Sequence, residues 1–539
     1  MTEPCTPPAV RGALRPADTT LSAGVTFARV AVLAVGLLLL TRDLTVRFIG
    51  SHEDNGAIYG TFARHHIEYG LGYTKLYCTW GTTQTPPPVP ERYLNHPPLI
   101  GLEAALPMLV FGDHEWTVRL TPIAATLGGV WLLMIMLSRL HGPALGLLAG
   151  LFYVMLPATG YFGRMLEYVP IAQFFNLLML HGYMQWSGWY GGNSRRRTGA
   201  IQYAVGAVLG IGTAWNTVIL AGLIWIWHVA RTRFRRGSRG MLLALTLVPA
   251  AALAAVVVHI LAGCGWSTSL FAPLLYSRTL GGGQSWAVWG DRVWAHLLAN
   301  VSAAGVVAAV LYLGFAVFAG RRTSPEPFAG QSLLDRRITI PIALILLHGL
   351  LYVVPFRNQS FHHDYWQFPA LPFFAAALAT VVLGVHTVLA GASARIARVA
   401  TLLLLLLPMP MFARGRDRFY ERILYPPEIP DALVRLAEFV PADAPVMTSL
   451  PTGEGSEQFG TYTNRWVDPF LAYYARRPLI QATRLEDIAA NSAHCKAYLL
   501  DAGDEPRLKP LVQQLTTNYE SVRLNDRMVL FLLDRPRRR

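Results

Sequence analysis

The chain has 539 residues, of which 53% are hydrophobic and only 14% are charged. An ordinary soluble protein has about a quarter of its residues charged, so this composition excludes a wholly soluble chain. The formal net charge of +14 would suit a nucleic-acid partner, but the arginines are concentrated in short loops between apolar segments. That distribution is the positive-inside pattern of an α-helical multi-pass membrane protein, and we therefore expect no nucleic-acid partner.

The N-terminal part of the chain predicts a tail, one membrane helix and a long outside loop. Residues 1–22 are polar and contain prolines, so we expect a disordered cytoplasmic tail. An apolar run at about 24–41 is long enough to span the hydrocarbon core and lacks a signal-peptide cleavage site. The loop at 42–115 then contains a predicted amphipathic helix at 55–69 and an apolar segment at 98–111. The latter is too short to span and should lie at the membrane interface.

The remaining apolar runs predict about eleven membrane spans in all, with the N-terminus inside and the C-terminus outside. The stretch at 200–229 lies between two arginine clusters that should both be cytoplasmic, so it must cross an even number of times. We predict a hairpin of two short helices there, with its turn near Trp215 and Asn216. The other spans are predicted at about 117–138, 143–157, 168–187, 241–262, 297–319, 338–355, 366–388 and 396–413.

The composition changes after residue 413, where polar and charged residues replace the apolar runs. Strands are predicted at 444–450, 478–482, 496–501 and 527–534, and helices at 485–493 and 506–515. Alternating strands and helices of this length are typical of a small soluble α/β domain. We therefore divide the chain into the tail at 1–22, a transmembrane catalytic domain at 23–413 and an extracytoplasmic domain at 414–539.

Three acidic residues at the predicted outer membrane surface are candidates for catalysis. Glu53 and Asp54 follow the first span, and Glu167 directly precedes a later one. A carboxylate in such a place can remove the proton from an acceptor hydroxyl that attacks a lipid-linked substrate. The alternatives are that Asp54 only caps the next helix and that Glu167 only pairs with Arg164.

Basic and aromatic side chains in the same outside loops are candidates for binding the substrate or its phosphate. Arginine and histidine donate charge-assisted hydrogen bonds to phosphate oxygens. An interfacial aromatic belt, or an ion pair between Arg119 and Glu115, would be the structural alternative. His362, His363 and Asp364 could alternatively ligate a divalent metal, but adjacent ligands on one loop are weak evidence, so no cofactor is required and no metal is indicated. The candidates are His96, Arg119, Arg164, Arg357, His362, His363 and Tyr365.

In this order, these segments resemble the GT-C superfamily of membrane glycosyltransferases, in particular the protein O-mannosyltransferase and aminoarabinose-transferase-like group. The resemblance covers about residues 24–413. The segments that carry it are HEDNGAIYG (52–60), NHPPL (95–99), FGDHEWTVRL (111–120), GRMLEYVP (163–170) and HHDYWQFPALP (362–372).

The resemblance implies a polyprenyl-phosphate sugar donor and an acidic residue of the first outside loop as the catalytic base. Asp54 is the best match for that base, although the family usually has Asp before Glu and this chain has Glu53 before Asp54. Glu167 corresponds to the acidic residue of the second outside loop, and His363 and Tyr365 correspond to the loop near the donor phosphate.

The leading hypothesis is a glycosyltransferase in the plasma or inner membrane, with its active site on the extracytoplasmic side. It would move a sugar from the polyprenyl-phosphate donor to a hydroxyl of a protein, lipid or glycan in one inverting displacement. A transporter or flippase for a lipid-linked glycan is the first alternative, and a non-catalytic assembly or sensor protein is the second. The polar residues collect on one predicted face and no internal repeat is visible, which favours the transferase.

Overall fold

The structure is a computed structural model. It describes residues 23–190, 195–235, 238–268, 275–276, 278–279, 283–321, 336–442, 444–451, 468–504 and 506–537. The predicted disordered tail at 1–22 lies outside these described residues. The described chain is mostly helical, with its strands collected near the C-terminus, as the sequence predicts for a helical membrane protein with an α/β domain.

The transmembrane domain has a helix at each predicted span. Its helices are α1 (Ala23–Leu40), α2 (Asp54–Glu68), α3 (Leu71–Thr74), α4 (Leu99–Phe111), α5 (Glu115–His141), α6 (Pro143–Met155), α7 (Pro157–Phe162), α8 (Tyr168–Trp186), α9 (Arg196–Thr213), α10 (Asn216–Thr232), α11 (Arg239–Gly263), α12 (Trp286–Arg321), α13 (Arg336–Val353), α14 (Arg357–His362), a 3-10 helix (Asp364–Ala370), α15 (Leu371–Ala390), α16 (Ala394–Leu406) and α17 (Met409–Tyr420). The hairpin predicted at 200–229 is confirmed, since α9 and α10 are separated at Ala214 and Trp215.

Six helical stretches of the described residues are long and apolar enough to cross a membrane. They are Ala23–Leu40, Glu115–His141, Arg239–Gly263, Trp286–Val317, Asp364–Ala390 and Ala394–Tyr420, and α4, α6 and α13 are shorter apolar helices. The total of about eleven crossings stays a prediction.

Close helix packing in this domain depends on glycine at the contact between α8 and α9. A Cβ atom added to Gly182 would lie 2.4 Å from the backbone nitrogen of Tyr203, and one added to Gly199 would lie 2.5 Å from that of Trp186. Small residues at such contacts let two helix backbones approach, which is how helices associate where lipid removes the hydrophobic driving force.

The C-terminal domain confirms the predicted strands and helices. It consists of α18 (Glu428–Phe439), β3 (Val446–Thr448), α19 (Pro469–Ala475), β4 (Leu479–Gln481), α20 (Leu485–Asn491), β5 (Ala497–Asp501), α21 (Lys509–Asn518), β6 (Tyr519–Arg523) and β7 (Met528–Pro536). Strands β1 (Cys78–Trp80) and β2 (Glu91–Tyr93) form a separate hairpin in the loop that follows α1. The strand order is β4-β3-β5-β7-β6, with β3 parallel to β4 and β5 and with β7 antiparallel to β5 and β6. The sequence did not predict α18, α19 or β6.

Helix α19 attaches this domain to α2, the helix that begins at Asp54. The Tyr474 hydroxyl accepts a hydrogen bond from the backbone N–H of Phe48 at 2.7 Å, and Arg64 donates to the carbonyl oxygen of Tyr473 at 3.0 Å. The α/β domain is therefore packed directly against the long loop that follows α1.

Candidate active site

The turn that leads into α2 is held by Glu53, which is 5% exposed. Its Oε2 accepts hydrogen bonds from the backbone N–H groups of Ile49 at 3.1 Å and Gly50 at 3.0 Å. Its Oε1 lies 2.9 Å from Arg119 Nη2 and 3.1 Å from Arg164 Nη2. Burial alone would raise the pKa of Glu53, but the two guanidinium groups outweigh it and lower that pKa. Glu53 is therefore an ionised carboxylate whose oxygens are both occupied.

The two arginines beside Glu53 also hold the backbone of the first loop. Arg119 donates to the carbonyl oxygens of Leu44 at 2.7 Å and Val46 at 2.5 Å. Arg164 donates to the carbonyl oxygen of Arg42. Neither arginine forms the ion pair that the sequence offered as an alternative, because Arg119 and Arg164 both pair with Glu53. Three residues that the sequence proposed for the reaction or the donor phosphate thus form one buried cluster, which we call the loop anchor.

Asp54 and Glu167 differ from Glu53 because each has a carboxyl oxygen without a hydrogen-bond partner among the described residues. For Asp54 this atom is the buried Oδ1, and for Glu167 it is the buried Oε1. Glu167 Oε2 accepts the backbone N–H of Tyr168 at 2.9 Å, which places Glu167 at the N-cap of α8. Burial raises the pKa of Asp54 and raises the pKa of Glu167 well above its usual value, and the charge of Asp54 adds to the second shift.

His52 joins the same site in a conformation that side chains rarely adopt, with a φ angle of 60°. Its Nε2 lies 3.3 Å from Asp364 Oδ1, while Arg422 donates to Asp364 Oδ2 at 3.2 Å. Burial would lower the pKa of His52, but the Asp364 carboxylate outweighs this effect and raises it, with a smaller contribution from Asp54. His52 is therefore the imidazole of this site that protonates most readily.

His96 and Arg278 form the basic side of the site. Arg278 Nη2 lies 3.1 Å from His96 Nε2 and donates to the carbonyl oxygen of Asn95 at 3.0 Å. Because an arginine nitrogen can only donate, His96 Nε2 must accept, and the imidazole proton is on Nδ1. Among the described residues, this Nδ1 has no partner. Burial, together with the charge of Arg278, lowers the pKa of His96 well below its usual value, so the ring is neutral.

Two other predicted residues lie beside His52. The ring of Tyr365 is 5.1 Å from the His52 ring, and that of His363 is 5.4 Å from it. Burial lowers the pKa of His363 to about 3, so this imidazole is also neutral. The rings of His363 and Tyr365 are themselves 5.2 Å apart, so both residues lie in the same site.

Arg357 and His362 point elsewhere. The Arg357 guanidinium stacks over the ring of Trp286 at 4.7 Å, and the exposed His362 ring packs edge-on against Phe361. In the described part of the chain, neither side chain forms a hydrogen bond or an ion pair with the two partly free carboxyl groups. The structure thus brings together Asp54, Glu167, His96, His363 and Tyr365, places Glu53, Arg119 and Arg164 in the loop anchor, and leaves Arg357 and His362 outside both groups.

The sequence did not identify His52 or Arg278 as site residues, and it named Asp364 only as an alternative metal ligand. It also did not single out Asp468. Asp468 comes from the C-terminal domain, where its Oδ1 accepts the backbone N–H groups of Phe470 at 3.0 Å and Leu471 at 3.1 Å. Burial raises the pKa of Asp468 to about 6, and the charge of Asp54 contributes. For Arg278 a signal was present, because an arginine in a predicted outside loop departs from the positive-inside bias. Among the described residues, no group of three or more His, Cys, Asp or Glu side chains is placed to hold a metal ion.

The fold of the chain is similar to the folds of two solved proteins, ArnT and the oligosaccharyltransferase AglB, each at low sequence identity. Over 94% of its length the chain is similar to ArnT from Cupriavidus metallidurans in the crystal structure with bound undecaprenyl phosphate, with a TM-score of 0.61, 14% sequence identity and 98% of that chain covered. Over 93% of its length it is similar to the archaeal oligosaccharyltransferase AglB from Archaeoglobus fulgidus, in complex with an inhibitory peptide and a dolichol-phosphate, with a TM-score of 0.53, 10% identity and 73% of that chain covered. No protein-family model matches the chain, and no curated protein sequence matches it.

Proposed function

We propose that the protein is an integral-membrane glycosyltransferase that moves a sugar from a polyprenyl-phosphate donor to an acceptor hydroxyl. The observation that carries this proposal is the buried Asp54 Oδ1, which has no partner among the described residues. A second carboxyl group, that of Glu167, has a buried oxygen of the same kind and is influenced by the charge of Asp54. The fold supports it, because the ArnT structure contains undecaprenyl phosphate and the AglB structure contains a dolichol-phosphate.

The different protonation states of the Asp54 and Glu167 carboxyl groups follow from their burial. Two adjacent carboxyl groups do not both ionise readily, and the more buried one retains the proton. Glu167 is fully buried with its pKa raised well above the usual value, so it is the protonated member and can donate a hydrogen bond to a hydroxyl. Asp54 is then the carboxylate, and its raised pKa makes it a stronger base than an exposed aspartate.

The donor phosphate is assigned to the basic side of the site. The guanidinium of Arg278 has five N–H donors, and among the described residues its hydrogen bonds to His96 and Asn95 use Nη2 alone. The Nδ1–H of His96 is also available, because its other nitrogen accepts from Arg278. These donors can neutralise the phosphate as it becomes the leaving group.

The reaction is a single displacement at the anomeric carbon of the donor sugar. The acceptor oxygen forms a bond to that carbon while the bond from the carbon to the phosphate oxygen breaks. The acceptor proton passes to Asp54, and polyprenyl phosphate leaves with the bonding electrons, so no separate acid is needed for the leaving group. We place this step on the extracytoplasmic side of the plasma or inner membrane, because the arginine-rich loops define the opposite side as cytoplasmic.

Mass spectrometry of lipid-linked sugars and envelope glycans tests the proposal, in cells that lack the gene and in the same cells complemented with the wild-type gene. We expect a polyprenyl-phosphate sugar to accumulate without the gene and one protein, lipid or glycan to lose a sugar, with both changes reversed by the wild-type protein. Unchanged pools would refute the transferase. Accumulation of the donor on the cytoplasmic leaflet alone would instead indicate a flippase.

A further inference from the structure

A groove with a volume of about 550 Å³ lies between α12 and α17. Leu298 and Met411 contribute apolar surface to it, and Arg414, Arg418 and Arg422 lie along one side. Both walls belong to helical stretches that are long and apolar enough to cross a membrane. The groove therefore opens on a surface that combines lipid-facing helices with concentrated positive charge.

The arginines follow one another at helical spacing. Arg414 and Arg418 are four residues apart on α17, so they lie on the same face, and Arg422 follows the end of that helix by two residues. Arg422 pairs with Asp364. Within the described part of the chain, neither Arg414 nor Arg418 forms an ion pair or a side-chain hydrogen bond, and both are exposed. Two guanidinium groups are thus free to bind an anion.

The opposite wall contributes an unsatisfied polar atom. Ser302 interrupts α12 with φ 61° and ψ 171°, and its side chain is 7% exposed. Its buried Oγ has no hydrogen-bond partner among the described residues. A buried hydroxyl without a partner is costly, and a ligand oxygen in the groove would satisfy it.

We propose that this groove binds the phosphate-bearing headgroup of an anionic membrane lipid, separately from the donor phosphate site at His96 and Arg278. Arg414 and Arg418 would bind the phosphate, and the lipid chains would lie along the exposed apolar residues below, including Val307 on α12 and Leu407 next to α17. The arginines complement the negative charge of such a headgroup, and the apolar walls complement its lipid chains. A soluble anion would gain nothing from contact with the apolar surface, so we identify the occupant as a lipid.

The groove ends close to the catalytic site. Arg422 lines the groove and donates to Asp364 Oδ2, while the other oxygen of Asp364 faces His52. The Asp364 carboxylate therefore lies between the arginine side of the groove and His52 of the candidate active site. The proposal concerns lipid binding and does not depend on sugar transfer.

Native mass spectrometry of the purified protein tests this site, with dioleoyl phosphatidic acid as the probe and dioleoylglycerol, which has the same chains without phosphate, as its control. The wild-type protein should retain phosphatidic acid and release dioleoylglycerol. The double variant Arg414→Gln/Arg418→Gln should retain at least about tenfold less phosphatidic acid, because it loses two charge-assisted contacts. Its binding of polyprenyl phosphate should be unchanged.

The matched control is Arg395→Gln/Arg398→Gln, which removes two exposed arginines from α16 outside the groove. It should bind phosphatidic acid like the wild type. If the groove variant does not fold, Ala303→Phe fills the groove without changing charge and should abolish retention. Equal retention by the groove variant and the control, or displacement of phosphatidic acid by inorganic phosphate or polyprenyl phosphate at equal concentration, would overturn the proposal.

Discussion

The loop anchor and the Asp54 site differ in how their carboxyl groups are satisfied, although Glu53 and Asp54 are neighbours in the chain. Glu53 accepts four donors and is held between two arginines, so it has no capacity left for a substrate. Asp54 is half-buried, and its buried Oδ1 has no partner among the described residues. The comparison teaches that burial of a carboxyl group does not by itself identify a reactive residue. A buried carboxyl oxygen without a hydrogen-bond partner does identify one, where the site is expected to bind a ligand.

The sharpest test of this difference is Asp54→Asn. We expect transfer to fall by about 10²–10⁴-fold, because removal of a general base typically has this effect. The unfolding temperature should change little, because Asp54 Oδ1 has no partner in the described part of the chain that the substitution would remove. Glycan mass spectrometry in complemented cells measures the first quantity, and thermal unfolding of the purified variant measures the second. Wild-type glycan levels with Asp54→Asn would remove Asp54 from the mechanism.

The corresponding change at the loop anchor, Glu53→Gln, should act on stability. Removal of one partner from a buried ion pair typically costs about 3–5 kcal/mol, and here two arginines would lose their counter-charge. We expect a lower unfolding temperature and a lower yield of folded protein, with transfer per folded molecule less affected than in Asp54→Asn. A Glu53→Gln protein that is as stable as the wild type but inactive would reverse our assignment of the two residues.

Substitution of the arginine at the proposed phosphate site should affect donor binding, and substitution of an arginine in the loop anchor should affect stability. Arg278→Gln should weaken donor binding by about tenfold to a hundredfold, because a hydrogen bond to a charged group contributes about 1.5–3 kcal/mol. Arg119→Gln should mainly lower the unfolding temperature, because Arg119 holds Glu53 and two backbone carbonyl groups. Titration of each purified variant with polyprenyl phosphate checks this prediction. It is contradicted if Arg119→Gln loses affinity at an unchanged unfolding temperature while Arg278→Gln does not.

The smallest expected effect is a difference between the pH at which activity is lost and the pH at which the folded protein loses stability. Because burial raises the pKa of Asp54, transfer should fall as the pH drops through that raised value. The lowered pKa of Glu53 contributes stability above the pKa of an unfolded glutamate, about 4.3, and this stability is lost only as the pH falls through the lower, folded value. Mildly acidic buffer should therefore abolish the proposed transfer reversibly without unfolding the protein, as measured by activity after return to neutral pH and by circular dichroism. Loss of both signals at the same pH would contradict the two assignments.

Much of the architecture could be predicted because it depends on local patterns. Apolar runs of membrane length marked the helices, and the arginine clusters on both sides of 200–229 required the hairpin that α9 and α10 form. The alternating pattern near the C-terminus marked four strands of the sheet. Strand β6 was missed because its sequence, YESVR, is mostly polar and its strand conformation depends on pairing with β7.

The sequence by itself determined the class of fold and the polar loops between apolar runs that contain Asp54, Glu167, His96, His363 and Tyr365, because length, hydropathy and charge act locally. Only the tertiary structure decided which of these groups have partners. Arginine is a residue type that binds phosphate, yet Arg119 and Arg164 both bind Glu53, while Arg278 reaches the site from a distant segment. Whether a buried charge has a partner depends on residues that are far apart in the chain. It is therefore decided by tertiary packing and cannot be read from the spacing of residues in the sequence.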